Sequence, residues 1–342
     1  MKKRWFCFLL LFVICLSGCT FLKGNSQSAV ATYPDKEAPA KIFKTDAHWV
    51  ALVNSYGSSD YTLSVSEDLH TLQGVYTATD VSIWFMAVND TAAFFCEETE
   101  EHYTYKAYLL QEKTMKTVFS TPAGDIYQTQ EVGLLGNLAY YCYIDYASLT
   151  VSVIAYDLLT GTTSVAWEKP YVEAEMPYCF AVEGNLLSVA HSKAVTVLDL
   201  TTGDIPFSIS LPNEVQHVFS VSYDPANDAC ALYYSDQDSE DIGIIAEGAT
   251  KITSHFTFGS NRYAYHDQIK CINGYIYWIA QANITGNVTD HYQLVIYNYK
   301  TGKPTEIKRT FYFHYDDGTL YSLRFDKNGD YSNIELMERE VE

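Results

Sequence analysis

Glutamates and aspartates occur in three dense groups along this sequence, and each group could attract a cation. The groups contain Glu97, Glu98, Glu100 and Glu101, then Glu173 and Glu175, then Asp236, Asp238, Glu240 and Asp241. Grouped carboxylates create a negative potential that speeds the encounter with a positively charged partner. The sequence therefore predicts a candidate binding rim for a cation, a basic peptide or a basic protein segment. The alternative is that these acids lie in solvated loops of an acidic protein.

Motifs for catalysis and for cofactors are absent from the sequence. It contains no G-x-S-x-G, H-E-x-x-H, P-loop or G-x-G-x-x-G pattern. Residues 326–335 begin like a calcium loop, with Asp326, Asn328 and Asp330, but Tyr331 and Met337 occupy positions that calcium loops give to glycine and glutamate. We therefore expect no cofactor, with calcium as the alternative.

The N-terminus has the features of a targeting segment. Lys2, Lys3 and Arg4 precede an apolar stretch that is too short to span a bilayer comfortably. The stretch ends in Leu-Ser-Gly-Cys at residues 16–19, which resembles the lipobox of bacterial lipoproteins. This resemblance implies that residues 1–18 are removed, that the Cys19 thiol is acylated, and that the mature chain is anchored to the extracytoplasmic side of a bacterial membrane.

Residues 19–38 are small and polar, without apolar periodicity, and predict a flexible tether behind the lipidated cysteine. Within this segment, the stretch near residues 29–36 could instead form a strand. Residues 39–342 form the remaining unit, which we interpret as one domain.

A short pattern recurs through that domain: a tight-turn residue followed by an apolar, aromatic-rich run. The turn positions are 46, 90, 136, 184, 228, 274 and 318, which are 44 to 48 residues apart. Glycine, asparagine and aspartate allow the positive φ of a two-residue hairpin turn, and the runs behind them suit buried strands. A period near 45 residues with several strands per repeat is typical of a β-propeller, whereas helical solenoids would need helical periodicity. We predict an all-β fold with seven four-stranded antiparallel blades, each turn joining the innermost strand A to strand B.

A second marker, an apolar strand followed by Thr-Gly, ends at Gly161, Gly203 and Gly302. We place these segments as strand C and the turn between strands C and D. After the turn at Gly318, blade 7 has room for strand B near 319–325 and strand C near 331–338, but none for strand D. Because an open edge would expose unpaired backbone groups, the stretch near 29–36 is predicted to close the ring.

The predicted topology also sorts the candidate residues. In a propeller, the B–C loops and the D–A crossings lie on one face, which we call the loop face, and the A–B and C–D turns lie on the other, the turn face. All ten acids of the three groups fall on the predicted loop face. His266 and His314 fall in predicted A strands, which line the central channel, and are candidate channel residues.

Residues 155–161 (AYDLLTG) resemble the repeat of quinoprotein-like, WD40-like propellers of the YVTN type, through Ala155, Asp157, Thr160 and Gly161. The tryptophan of that repeat is displaced here to Trp167, and blades 3, 4 and 6 carry only parts of the motif. The resemblance implies the propeller fold and does not extend to quinone chemistry.

The formal charge of −20 argues against nucleic acid as a partner. Together, the lipobox, the repeat and the missing catalytic motifs favour a membrane-anchored binding or scaffold lipoprotein, whose partner is a protein, a peptide or a glycan. One alternative is a hydrolase or lyase that acts on envelope or other glycans, which would suit the 29 tyrosines and the channel histidines. Another is a factor that assembles envelope proteins.

Overall fold

A computed structural model gives the structure of this chain. It describes residues 28–34, 39–54, 59–68, 71–123, 131–175, 177–237, 239–257, 262–282, 291–326 and 333–341. Cys19, Asp238 and the predicted tether up to residue 27 lie outside the described residues.

The described residues form 28 strands. The first strand is β1 (Ser28–Pro34). Blades 1 to 3 contain β2 (Pro39–Lys44), β3 (Trp49–Asn54), β4 (Tyr61–Ser66), β5 (Gln73–Ala78), β6 (Met86–Val88), β7 (Ala92–Glu98), β8 (His102–Leu109), β9 (Thr114–Pro122), β10 (Val132–Leu135), β11 (Leu138–Asp145), β12 (Thr150–Asp157) and β13 (Thr163–Pro170). Blades 4 and 5 contain β14 (Cys179–Glu183), β15 (Leu186–His191), β16 (Ala194–Asp199), β17 (Phe207–Ser210), β18 (His217–Asp224), β19 (Ala229–Ser235), β20 (Glu240–Ala246) and β21 (Ser254–Thr257). Blades 6 and 7 contain β22 (Arg262–Ile272), β23 (Tyr275–Ala282), β24 (Tyr292–Asn298), β25 (Lys303–Lys308), β26 (Thr310–Asp316), β27 (Thr319–Phe325) and β28 (Asn333–Glu340).

These strands form seven four-stranded antiparallel sheets, which confirms the predicted propeller. In blades 1 to 6, four consecutive strands pair in chain order, as in β10-β11-β12-β13. The A strands of neighbouring blades contact one another around most of the ring, so they form its inner wall. All seven predicted A–B turns lie between the first and second strands of a blade.

Blade 7 is completed by the N-terminal strand. Its order is β26-β27-β28-β1, and β1 pairs antiparallel with β28, with Tyr33 opposite Ile334. The predicted closing strand is therefore present as β1, and strand C of this blade is β28 (Asn333–Glu340). Because β1 covers the outer edge of β28, the ring does not end in an open strand.

The Thr-Gly marker has a local physical cause in an upstream aspartate or asparagine. In blade 3, the Oδ1 atom of Asp157 accepts hydrogen bonds from the backbone N–H groups of Leu159 at 2.7 Å and Thr160 at 3.0 Å. Gly161 then takes a φ of 73°, which closes the turn. Asp199 in blade 4 and Asn298 in blade 6 accept the corresponding pairs of bonds. The motif thus builds the C–D turn.

Apolar clusters between neighbouring blades form the core. One cluster joins blades 2 and 3, where the ring of Tyr105 lies 5.1 Å from that of Tyr141 and the ring of Phe119 stacks on Tyr141 at 5.0 Å. Buried aromatic side chains of this size each contribute roughly 2–3 kcal/mol through burial. Many tyrosines therefore act as packing residues.

The cysteines at 96, 142, 179, 230 and 271 are buried and free of disulfide bonds. Burial raises the pKa of the Cys96 thiol to about 12. These cysteines pack as small apolar side chains. Within the described residues, no helix is long and apolar enough to cross a membrane.

Candidate functional site on the loop face

The loop face carries the described acids of the three predicted groups. The first group lies at the end of β7 and in the following B–C loop, and the second lies in a short 3-10 turn, Glu173–Glu175, between blades 3 and 4. The third group lies around the B–C loop of blade 5, between β19 and β20. The three groups come from blades 2, 3 and 5, so they are spread around the face.

Glu97 is a buried residue that links blades 1 and 2 through a hydrogen bond. It is 5% exposed, and its carboxylate accepts a hydrogen bond from the hydroxyl of Tyr76 at 2.7 Å. The ammonium group of Lys106 lies 2.6 Å from the other oxygen of Glu97 and also donates to the hydroxyl of Tyr76. Burial lowers the pKa of Lys106, but the hydrogen bonds with Glu97 and Tyr76 outweigh it and raise the pKa overall. With its charge neutralised and its oxygens occupied, Glu97 is not available to a ligand.

The other acids of this group are more accessible. Glu98 is half-buried and accepts a hydrogen bond at 2.8 Å from the indole N–H of Trp84, whose side chain is 41% exposed. Glu100 and Glu101 are exposed at the tip of the loop. An exposed indole beside carboxylates is a surface that a cationic side chain could contact.

Glu175 is engaged within the protein, whereas Glu173 is exposed. The carboxylate of Glu175 forms an ion pair with Lys169 and accepts a hydrogen bond from the hydroxyl of Tyr178 at 3.2 Å. The same oxygen lies 3.4 Å from Nδ1 of His191. Burial, together with the charge of Lys169, lowers the pKa of His191 to about 4, so its imidazole is neutral near pH 7.

In blade 5 the acids differ strongly in exposure. Glu240 is exposed and accepts a hydrogen bond from the hydroxyl of Tyr233. Asp236 is half-buried and accepts from the backbone N–H of Ser239 at 2.8 Å. Asp241 is 3% exposed, which the sequence pattern alone did not indicate.

His314 lies on the inner wall in β26, where its ring packs edge-on against Phe43 of blade 1 at 4.9 Å between ring centroids. Burial and the positive charge of Lys270 lower the pKa of His314 to about 3. The imidazole is therefore neutral near pH 7 and packs between blade 7 and blade 1, where the propeller closes. His266 lies in β22, and its side chain is outside the described part of the chain.

Sequence reasoning missed a polar network on the inner wall. Glu183 at the end of β14 accepts hydrogen bonds from the hydroxyl of Ser222 and from the ammonium group of Lys270, at 2.9 and 2.6 Å. Ser222 in turn accepts a bond from the backbone N–H of Cys271 at 2.8 Å. This network joins the A strands of blades 4, 5 and 6. Its signal in the sequence is a set of polar residues inside otherwise apolar A strands.

Glu131, at the loop-face end of the inner wall, is a second buried acid that the sequence pattern did not reveal. It is 9% exposed, and its carboxylate accepts a hydrogen bond from the backbone N–H of Phe180 at 2.6 Å. Burial raises the pKa of Glu131 to about 8, so the carboxyl group is mostly protonated near pH 7. It links blade 3 to blade 4 and leaves no exposed charge.

The described residues contain no cluster of three or more histidine, cysteine or acidic side chains that could hold a metal ion. The segment 326–335, which begins like a calcium loop, falls mostly on residues outside the described ones, and only Asp326 of its first three acceptors is described. What the described geometry offers is an acidic, partly aromatic surface suited to binding.

Solved structures with a similar fold are numerous. The crystal structure of BamB from Moraxella catarrhalis is 11% identical, with a TM-score of 0.50 and coverage of 91% of this chain and 99% of BamB. A chain of the Mitotic Checkpoint Complex is 11% identical, with a TM-score of 0.56 and coverage of 92% and 96%. The WD40 domain of Toxoplasma gondii coronin is 10% identical, with a TM-score of 0.51 and coverage of 92% and 86%. At such low identity the similarity shows the propeller fold alone, and a fold does not determine a function.

No protein-family model matches the sequence, and no curated protein matches it either.

Proposed function

We propose that this chain is a lipid-anchored, extracytoplasmic scaffold whose loop face binds a basic segment of a partner protein. The observation that carries the proposal is that exposed acids outnumber exposed lysines on that face. They come from blades 1 to 5 and include Asp60, Asp80, Glu100, Glu101, Glu173, Glu214 and Glu240. On the same face, the fully exposed lysines among the described residues are Lys193 and Lys308. Such a surface attracts positively charged partners and repels nucleic acid.

The structural relatives are compatible with a protein partner. One similar chain belongs to the Mitotic Checkpoint Complex, which by its name is an assembly of proteins. BamB from Moraxella catarrhalis has the same fold in a bacterium. Propellers present rigid loop clusters on a stable ring, which suits an interaction platform.

The binding part of the proposal is tested with a labelled decapeptide of alternating lysine and serine, titrated at several salt concentrations and followed by fluorescence anisotropy. One variant replaces Glu100, Glu101, Glu173, Glu214 and Glu240 with glutamine. A matched control removes five exposed acids from the turn face by replacing Glu67, Glu112 and Glu247 with glutamine and Asp204 and Asp317 with asparagine. Both variants have the same net charge.

We expect the loop-face variant to bind the peptide at least tenfold more weakly and with a shallower dependence on salt, because fewer charges contact the peptide. The turn-face control should keep most of the wild-type affinity. Equal losses in the two variants would show that the peptide responds only to net charge, and the loop face would not be the binding surface.

The anchoring part of the proposal rests on the Leu-Ser-Gly-Cys tetrapeptide at residues 16–19. Cys19→Ala should abolish acylation and release the mature chain from the membrane fraction, because the remaining protein has no acyl chains to hold it there. Metabolic labelling with a clickable palmitate analogue would detect the lipid directly. A Cys15→Ala variant is the matched control and should remain lipidated.

A further inference from the structure

Asp241 holds a carboxylate oxygen that is buried and lacks a hydrogen-bond partner. The residue is 3% exposed, and its Oδ1 atom has no hydrogen-bond partner, while Oδ2 accepts from the hydroxyl of Ser239 at 2.5 Å. A buried carboxylate oxygen without a donor is unfavourable, because it has lost water and gained nothing in exchange. The position therefore calls for a hydrogen-bond donor from outside the chain.

A second carboxylate points toward the same place. The hydroxyl oxygen of Ser239 lies 2.5 Å from Oδ2 of Asp241 and 3.3 Å from Oδ1 of Asp236. A serine hydroxyl carries one hydrogen, so it can satisfy only one of these two carboxylates at a time. The short loop between β19 and β20 thus brings two acids together around the Ser239 hydroxyl, while Asp236 also accepts from the backbone N–H of Ser239.

Tyr234 forms the wall of this site. It lies directly opposite Asp241 in the ladder between β19 and β20, and its side chain is buried. Its ring occupies space that the missing side chain of Gly243 leaves open, since a Cβ atom there would lie 2.9 Å from Cε1 of Tyr234. Burial, then the charges of Asp241, Asp236 and Glu214, raise the pKa of the Tyr234 phenol, which places all three carboxylates within electrostatic range of the ring.

The charges around this site are almost all negative. Glu214, exposed in the crossing from blade 4, adds a third negative charge near Tyr234. Lys193, in the B–C loop of blade 4, is linked to the crossing that carries Glu214, because its carbonyl accepts a hydrogen bond from the N–H of Leu211 at 2.8 Å. In the described part of the chain, no ion pair joins Lys193 to Asp241 or Glu214, and no metal-binding cluster is present.

We propose that Asp241, Asp236 and Tyr234 form a pocket on the loop face of blade 5 that receives the guanidinium or ammonium group of a basic side chain from the partner protein. Such a group supplies the N–H donor that Asp241 lacks and a positive charge for the surrounding carboxylates. The inference rests on the proposed function and adds to it the one position where the partner is anchored.

The pocket is tested with four fluorescein-labelled nonapeptides of glycine and serine, each with one central residue: arginine, lysine, citrulline or norleucine. Wild-type protein should bind the arginine and lysine peptides and fail to bind the other two. Asp241→Asn should weaken binding of the preferred basic peptide at least fivefold, and Asp236→Asn at least twofold. Glu112→Gln, which removes an exposed acid from the turn face, should change the affinity less than twofold.

Two results would contradict the proposed pocket and leave the proposed function unaffected. In the first, wild type and Asp241→Asn bind the basic nonapeptides with equal affinity. In the same experiment, the five-residue loop-face variant still binds the lysine–serine decapeptide more weakly than wild type does. The other is citrulline binding as tightly as arginine. If Asp241→Asn fails to fold, Asp236→Asn decides, since this half-buried position tolerates an amide more readily. If the wild-type protein does not bind the decapeptide, the proposed function is overturned instead.

Discussion

The ammonium group of Lys270 lies 2.6 Å from the carboxylate of Glu183, although the A strand of blade 5 lies between the blades that carry them. Glu183 also accepts hydrogen bonds from the hydroxyl of Ser222 and the backbone N–H of Tyr223. Three adjacent blades are therefore connected on the inner wall by one carboxylate. Because each blade otherwise contacts mainly its two neighbours, a contact that spans two blade boundaries couples their unfolding.

Lys270→Met should lower the free energy of unfolding by about 1–2 kcal/mol, since Glu183 would keep two donors but lose its opposite charge. The side chains of Lys270 and Glu183 are 34% and 20% exposed, so water limits the loss. A double-mutant cycle with Glu183→Gln in urea should give a coupling of at least about 0.5 kcal/mol. Lys303→Met, at an exposed lysine of blade 6, is the control and should be neutral. Additive effects of the two substitutions would mean that the pair contributes no coupling.

Blade 7, which β1 completes by pairing with β28, should be the part of the propeller most sensitive to truncation. A chain that begins at residue 39 lacks β1, so β28 loses its hydrogen-bonded neighbour and the buried side chains of Ala31 and Tyr33 are lost from the core. We expect its melting temperature to fall by about 10 °C or more, or the protein to aggregate through the open edge. A chain that begins at residue 28 keeps β1 and is the matched control. Equal melting temperatures would show that β1 contributes nothing to closure.

The sequence was sufficient to predict the repeat because its turns depend on local chemistry. Gly136 takes a φ of 54°, as a tight A–B turn requires, and Asp157 holds the C–D turn with its own side chain. The missing fourth strand of blade 7 followed from counting residues after Gly318. The pairing of that fourth strand was less predictable, because which residues of β1 lie opposite β28 depends on contacts between the two ends of the chain.

The candidate site was only partly predictable. Loop positions place an acid on one face, but they do not say whether it is exposed. Glu97 and Asp241 each lie one residue inside the end of a strand, and both side chains are buried. The partners that bury them, Tyr76 for Glu97 and Tyr234 for Asp241, lie on other strands, and sequence spacing contains no information about such contacts.

His314 should make the protein sensitive to acid. Its pKa is lowered to about 3 by burial and by Lys270, whereas the unfolded chain takes up a proton near pH 6.5. The unfolded state therefore binds more protons between these values, and stability that is present above pH 6.5 is lost as the pH falls toward 3. Between pH 7 and pH 4, the unfolding free energy of His314→Gln should therefore fall by on the order of 2–4 kcal/mol less than that of wild type.

Urea unfolding of wild type and His314→Gln from pH 7 to pH 4 measures this difference. His102→Gln, at an exposed histidine, is the control and should follow the wild-type curve. Curves for His314→Gln and wild type that stay parallel through the acid range would contradict the assignment. His191, whose pKa is lowered to about 4, adds a slope of the same sign to every variant and does not affect the comparison.

Glu131 should have the opposite effect, with stability lost as the pH rises. Burial raises its pKa from 4.5 to about 8, and the hydrogen bond from the backbone N–H of Phe180 offsets only part of that rise. Stability is fully present below pH 4.5 and is lost as the pH rises toward 8, because the unfolded state releases its proton first. Glu131→Gln keeps an oxygen that can accept the bond from Phe180 and has no proton to lose. The variant should match wild type near pH 4.5 and exceed its unfolding free energy by on the order of 4 kcal/mol at pH 8. The measurement is urea unfolding at half-unit pH steps, with Glu173→Gln as an exposed control. A difference in unfolding free energy between Glu131→Gln and wild type that is the same at every pH would show that the buried carboxyl group does not titrate in this window.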